Sequence, residues 1–145
     1  MIEAVELTKN YGEVRAVERV SFTIPQGEVF GLLGPNGAGK TTTIKMLTTL
    51  SRPDSGRCTI DGFDVVKSAL EVKRRIGVVP QENNLDRELT AFENLLIYGM
   101  LHNVKDRNKE IKAALMMVDL WDRKDSVVTH FSGGMQKRLL LARAL

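Results

Sequence analysis

Apolar and polar positions change rhythm along the chain, and the change predicts two kinds of structure. Ile2 to Thr8 reads as a first strand, closed by the turn formers Asn10-Tyr11-Gly12. Val20-Ser21-Phe22-Thr23-Ile24 alternates with a period of two up to Pro25, the pattern of a half-buried strand in an antiparallel pair. Two short continuous apolar runs, Val29 to Leu33 and Ile76 to Val79, read instead as strands buried on both faces. Arg57 to Ile60 is a further short strand entering an Asp61-Gly62 turn, and Val66 to Arg74 is a short helix.

Beyond residue 89 the period becomes helical. Thr90-Ala91-Phe92-Glu93 is a capping box for a helix reaching about His102. A second helix over Asp106 to Asp119 gathers Ile111, Ala114, Leu115 and Val118 on one face, with Met116 and Met117 as packing residues. Trp121 to Phe131 has no period and reads as a linker. Ser132 then caps a last helix that runs to the end of the sequence. The reading is an α/β chain in two parts, an α/β core over residues 1–89 and a helical subdomain over 90–145.

The chemistry concentrates between the first both-faced strand and the helix after it. Gly34-Pro35-Asn36-Gly37-Ala38-Gly39-Lys40-Thr41 fits the phosphate-loop pattern G-x-x-x-x-G-K-[ST]. Glycines let the backbone curl so that successive N–H groups face phosphate oxygens, and the helix N-terminus behind them adds unpaired donors. Lys40 supplies a full charge to the β- and γ-phosphates and Thr41 a hydroxyl for Mg²⁺, while Ile44, Leu47 and Leu50 can share one face of the helix that follows. The pattern points to a nucleoside triphosphate. Near the other end, Ser132-Gly133-Gly134 exposes a second helix N-terminus, by itself equally well a plain helix cap.

Totals narrow the picture only a little. The 145 residues carry a net charge of +3, scattered rather than clustered, an excess too small to argue for a nucleic-acid surface. Cys58 is the only cysteine, so no internal disulfide forms, and His102 and His130 lack metal-ligand spacing. No apolar run approaches a membrane span, and the first residues lack the basic and apolar regions of a secretory signal.

Taken in order, these pieces resemble the ATP-binding subunits of ABC transporters over the whole chain. Tyr11 matches the aromatic residue that stacks on adenine in that family, a role that periodicity alone does not assign over packing in its own hairpin. GPNGAGKT matches the family's phosphate loop, Gln81 the glutamine loop, and FSGGMQKR from Phe131 to Arg138 the signature region. The resemblance implies a nucleotide site of Tyr11, Val17, Gly34 to Thr41 and Thr42, with Lys40 and Gln81 catalytic and Thr41 and Gln81 on Mg²⁺. It implies Ser132, Gly133, Gly134 and Gln136 acting on the ATP of a second ATP-binding subunit in a head-to-tail dimer. It also implies transmembrane permease partners, no nucleic acid, and a place on the cytoplasmic face of a membrane.

Two departures shape these expectations. Where the common signature reads LSGGQ, this sequence has Met135 at the fifth position, so the reciprocal capping-box bond from that side chain is lost and Ser132 caps alone or with Gln136. Met at this position is similar to the branch that serves drug, polysaccharide and natural-product exporters. The second departure is that no apolar strand ends in an acidic pair, the element that in this family carries the Mg²⁺-binding aspartate and catalytic glutamate. The sequence is therefore expected to be a truncated domain that binds ATP without hydrolysing it, with unpaired sheet edges and low stability. Two other readings stay open, a soluble ABC-type ATPase of the translation or DNA-repair class and a non-catalytic nucleotide-binding module.

Overall fold

A computed structural model describes residues 1–145. Two compact units result, Met1–Ile76 and Gly77–Leu145.

In the first unit, β1 (Ile2–Tyr11) folds back on β2 (Val14–Ile24) around Gly12-Glu13, with Tyr11 opposite Val14. The period-two segment behaves as its pattern demands: Val20, Phe22 and Ile24 are part-buried while Ser21 and Thr23 are exposed. β1 also pairs antiparallel with β3 (Ser55–Ile60), and β3 with the two-residue β4 (Phe63–Asp64), giving the order β2-β1-β3-β4. The turn between β3 and β4 has positive φ at both Asp61 (49°) and Gly62 (81°), the signature that an Asp-Gly hairpin supplies. Gly56 carries a tighter demand. A Cβ there would lie 2.3 Å from the Glu6 carbonyl oxygen, so β1 and β3 meet this closely only because residue 56 has no side chain.

Ala4, Leu7, Val17, Cys58 and Ile60 from the sheet pack with Met46, Val65 and Val72 in one core. Met46 lies on α1 (Lys40–Leu47), the helix behind the phosphate loop. The face that Ile44, Leu47 and Leu50 can share is not the buried one: Thr43 and Met46 are buried, Leu47 is part-buried, and Ile44 and Leu50 are exposed. The helix turns Met46 to the sheet, and a side chain two residues away points elsewhere. The short helix expected over Val66 to Arg74 forms as α2 (Ala69–Lys73), with Val72 in the core. Burial also pushes the Cys58 thiol up to about 11. Cys58 should therefore resist a thiol-specific disulfide reagent at pH 8 in the native chain and react fully in denaturant; rapid native labelling would contradict this burial.

Both continuous apolar runs depart from expectation. Neither Val29 to Leu33 nor Ile76 to Val79 forms a strand. Val29 and Leu33 are fully exposed, while Phe30 stacks on Phe22 with ring centroids 5.3 Å apart. A strand buried on both faces needs hydrogen-bonded neighbours, and every paired strand here belongs to the antiparallel sheet, which engages neither run.

The second unit is helical, with α3 (Ala91–Leu101), α4 (Arg107–Met117) and α5 (Gly133–Ala144). The capping box at α3 is formed: the Glu93 N–H donates to Thr90 Oγ1 at 3.1 Å and the Thr90 N–H to Glu93 Oε2 at 2.8 Å. Those bonds hold the Glu93 carboxyl below its usual range. Ile111 and Leu115 of α4 meet Leu95 of α3 and Leu139 and Leu140 of α5 in the core, with Ala114 and Val118 at its edge.

The expected linker is also corrected. Trp121–Arg123 and Val128–His130 are 3₁₀ turns, and Leu120, Val128 and Phe131 are buried in the helical core. Their apolar spacing matches no single period because the segment holds two separate 3₁₀ turns rather than one continuous element. By packing, residues 77–89 go with the helices. Leu85 is buried among them, and Asn94, itself buried, accepts from the Asp86 N–H and donates to the Asp86 and Thr90 carbonyls at 2.9–3.0 Å. No helix is long and apolar enough to cross a membrane.

Candidate nucleotide-binding site and signature helix

On the first unit the phosphate loop has the backbone its glycines permit. φ is positive at Gly37 (85°) and Gly39 (83°), and the Ala38 N–H donates to the Pro35 carbonyl at 3.2 Å, closing the bend. Gly39 is the N-cap of α1, and its carbonyl accepts the first helical bond from the Thr43 N–H at 2.8 Å. A Cβ at Gly39 would lie 2.3 Å from the Ala16 carbonyl oxygen and 2.9 Å from Val17 Cγ2. Strand β2 thus supports the loop from below, and the fit leaves no room for a side chain.

The Lys40 ammonium donates to the Gly34 carbonyl at 2.6 Å and the Pro35 carbonyl at 2.7 Å, so it bridges the loop it belongs to. No side-chain group caps α1. The loop therefore presents a cation, a helix N-terminus and glycine N–H groups together, the donor set that a polyphosphate requires. The donors also suit Mg²⁺, a hard cation that takes few protein ligands and completes its shell with phosphate oxygens and water; Thr41 offers a hydroxyl oxygen in the first turn.

Tyr11 stands half-exposed at the end of β1. Its hydroxyl lies 3.4 Å from Ser51 Oγ, just beyond α1, and the Lys9 ammonium is 5.5 Å from its ring centroid. Asp54 fixes this corner, accepting from Lys9 Nζ at 2.7 Å and from the Asn10 N–H at 2.7 Å. Val17 is buried beneath the loop, where its contact is with Gly39. Asp54 and Ser51 escape sequence reading because they meet β1 only across 44 and 40 residues of chain; the turn Arg52-Pro53-Asp54-Ser55-Gly56 signals a bend and nothing about its tertiary partner.

The Lys9 side chain and the Asn10 N–H hold the Asp54 carboxyl below its usual range. A depressed folded value means that its stabilising contribution is complete above the unfolded value of 3.8 and is lost as pH falls through the folded one. Tyr11 fluorescence should thus change on acidification below about pH 4, and Asp54→Asn should remove that step. An identical acid profile in both proteins would exclude Asp54 as the clamp.

On the second unit, Ser132 caps α5 by accepting from the Met135 N–H at 3.2 Å, and Gly133 and Gly134 are exposed in its first turn. Gln136 does not assist the cap. Its amide donates to the Phe131 carbonyl at 3.0 Å, and its Oε1 accepts from Asn83 Nδ2. Gln81 is exposed, and its main-chain carbonyl accepts from Lys137 Nζ at 2.8 Å. The first unit thus holds Tyr11, Val17 and Gly34 to Thr42, and the second holds Gln81 with Ser132, Gly133, Gly134 and Gln136.

A family model described as ABC transporter matches residues 17–145. The chain belongs to the ABC transporter family. Among its curated relatives, the ABC chain is 44% identical over 146 residues to the Nod factor export ATP-binding protein I of Rhizobium meliloti (strain 1021), covering 99% of this chain and 44% of that protein. It is 42% identical over 147 residues to the linearmycin resistance ATP-binding protein LnrL of Bacillus subtilis (strain 168), covering 100% of this chain and 47% of that protein. This ABC chain therefore spans less than half the length of those two relatives. Its fold is similar to a dimeric, post-hydrolysis ATP-binding cassette bound to ADP and Pi, with a TM-score of 0.80 and 29% identity, covering 100% of this chain and 69% of that one.

Proposed function

We propose that this chain binds MgATP through the Gly34–Thr42 loop, as part of an ATP-binding subunit that energises export across a membrane. The observation that carries the reading is the loop itself, where Gly37 and Gly39 take positive φ beneath the Lys40 ammonium at the start of α1. Export rests on the relatives, whose names include Nod factor export and linearmycin resistance. Lys40 neutralises phosphate charge, Thr41 supplies its oxygen to Mg²⁺, and the Tyr11 ring stacks on the base. Gln81 is assigned to Mg²⁺ and the attacking water, and Ser132, Gly133 and Gly134 to the γ-phosphate held by a second ATP-binding subunit. Transmembrane permease subunits complete the assembly, on the cytoplasmic face of the membrane.

These 145 residues are expected to bind ATP without turning it over, because their sequence holds no apolar strand ending in an acidic pair to orient the attacking water. Calorimetric titration of MgATP into the chain, paired with a phosphate-release assay, tests both statements. Saturable binding with no release above the Lys40→Ala background is the expected outcome. Absence of binding overturns the nucleotide reading; release that disappears in Lys40→Ala overturns the non-catalytic one.

A further inference from the structure

Three side chains of α5 reach back to three residues of the loop that begins at Gln81. Lys137 Nζ donates to the Gln81 carbonyl at 2.8 Å. Gln136 Oε1 accepts from Asn83 Nδ2, and Arg143 donates to the Asn84 side-chain oxygen and, at 3.4 Å, to its carbonyl. The contacts continue inward: Asn83 Oδ1 accepts from the Leu85 N–H at 3.0 Å, and the Leu85 side chain is buried in the helical core. The same helix opens with Ser132, Gly133 and Gly134, and Gln136 ties its own first turn to the Phe131 carbonyl at 3.0 Å.

A loop with no regular secondary structure meets the helix here through side chains rather than through a backbone ladder. Lys137 and Arg143 form no ion pair, and their acceptors in the loop are neutral carbonyl and amide oxygens. Each is a cation whose hydrogen-bonding partner in the fold is this loop, and hydrogen bonds to charged donors are stronger than neutral ones.

We propose that Lys137 is a positioning residue which, with Gln136 and Arg143, straps the loop carrying Gln81 to the helix carrying the Ser132-Gly133-Gly134 signature. Through the strap, a displacement of the signature helix is passed to the Gln81 main chain, and the loop takes its position from the helix. Gln136 acts within its own chain in this arrangement, since both ends of its amide are engaged there. The consequence for nucleotide chemistry rests on the reading of Gln81 given above; the strap itself does not.

The test is hydrogen exchange on the full 145-residue chain, read at the Leu85 amide, whose acceptor Asn83 is held by Gln136. Lys137→Met keeps the aliphatic stem and removes the donor. Lys137→Met combined with Gln136→Ala should speed exchange at Leu85 by about 10-fold, the effect of losing roughly one hydrogen bond's net stabilisation, with Lys137→Met alone giving a smaller increase. Amides of Leu95 and Leu115 in the helical core should not change, and Lys137→Arg as a single substitution should keep the native rate that Lys137→Met loses. Unchanged exchange at Leu85 in the double variant, uniform acceleration of core amides, or a rate in Lys137→Arg equal to that in Lys137→Met would each overturn the strap. Gln81→Ala separates the two readings, because Lys137 bonds the main-chain carbonyl and that substitution leaves it in place. If Gln81→Ala does not alter the response to MgATP while the exchange result stands, the reading of Gln81 fails and the strap survives.

Discussion

Gly39→Ala is expected to reduce MgATP affinity at least ~100-fold, more than the removal of the Lys40 charge. An added Cβ would sit 2.3 Å from the Ala16 carbonyl oxygen, far inside contact distance, and the obstacle is main chain rather than a flexible side-chain tip. The residue also holds φ at 83°, a region that costs an L-residue about 1–2 kcal/mol. Either the loop or β2 must shift, and the residue that shifts is the N-cap of α1, so the helix N–H groups and the loop glycines lose their common aim. Lys40→Ala introduces no clash with main chain and removes one charged donor, about 1.5–3 kcal/mol or roughly 10- to 100-fold. Titration of MgATP into both variants checks the order. Affinity within threefold of the parent for Gly39→Ala would mean that β2 does not support the loop.

The second large effect is on stability. Leu139→Ala should destabilise the helical unit by about 2–5 kcal/mol, the range for deleting a fully buried leucine side chain from a packed core. Leu139 is completely buried where α5 meets the cluster of Leu95, Leu115, Leu120 and Val128. Alanine keeps the helix propensity, so the loss isolates packing from local preference. The neighbouring Leu141 is half-exposed, and Leu141→Ala should shift the urea midpoint little. Equal midpoints for the two variants would remove Leu139 from the core. A loss of this size is a large fraction of the stability of an ordinary domain, about 5–15 kcal/mol, so the urea midpoint of Leu139→Ala should fall well below that of the parent.

Local signals were enough for much of the molecule. The alternation through Val20 to Ile24, the Asp61-Gly62 hairpin, the capping box at Thr90 and Glu93 and the Ser132 cap all appear in the structure, because each is decided within a few residues. The phosphate loop is equally local: its glycines and the helix start behind them are written in eight consecutive residues, while the family took that loop together with Gln81 and the Ser132-Gly133-Gly134 region. The sequence pattern by itself determined these.

What the pattern left open was decided by partners distant in the chain. Continuous apolar runs at Val29 to Leu33 and Ile76 to Val79 carry strand composition, yet a strand exists only where another offers its N–H and C=O groups, and here none does. Which side of α1 is buried was settled by the sheet it meets, which takes Met46 and leaves Ile44 outside. In the segment from Trp121 to Phe131, Val128 and Phe131 became core by packing with residues of α3, α4 and α5, at spacings that no single period encodes. The same holds around the site. Asp54 reaches Lys9, and Lys137 reaches Gln81, across 45 and 56 residues. A charge in a sequence announces that it needs a partner, and only the tertiary structure chooses which one.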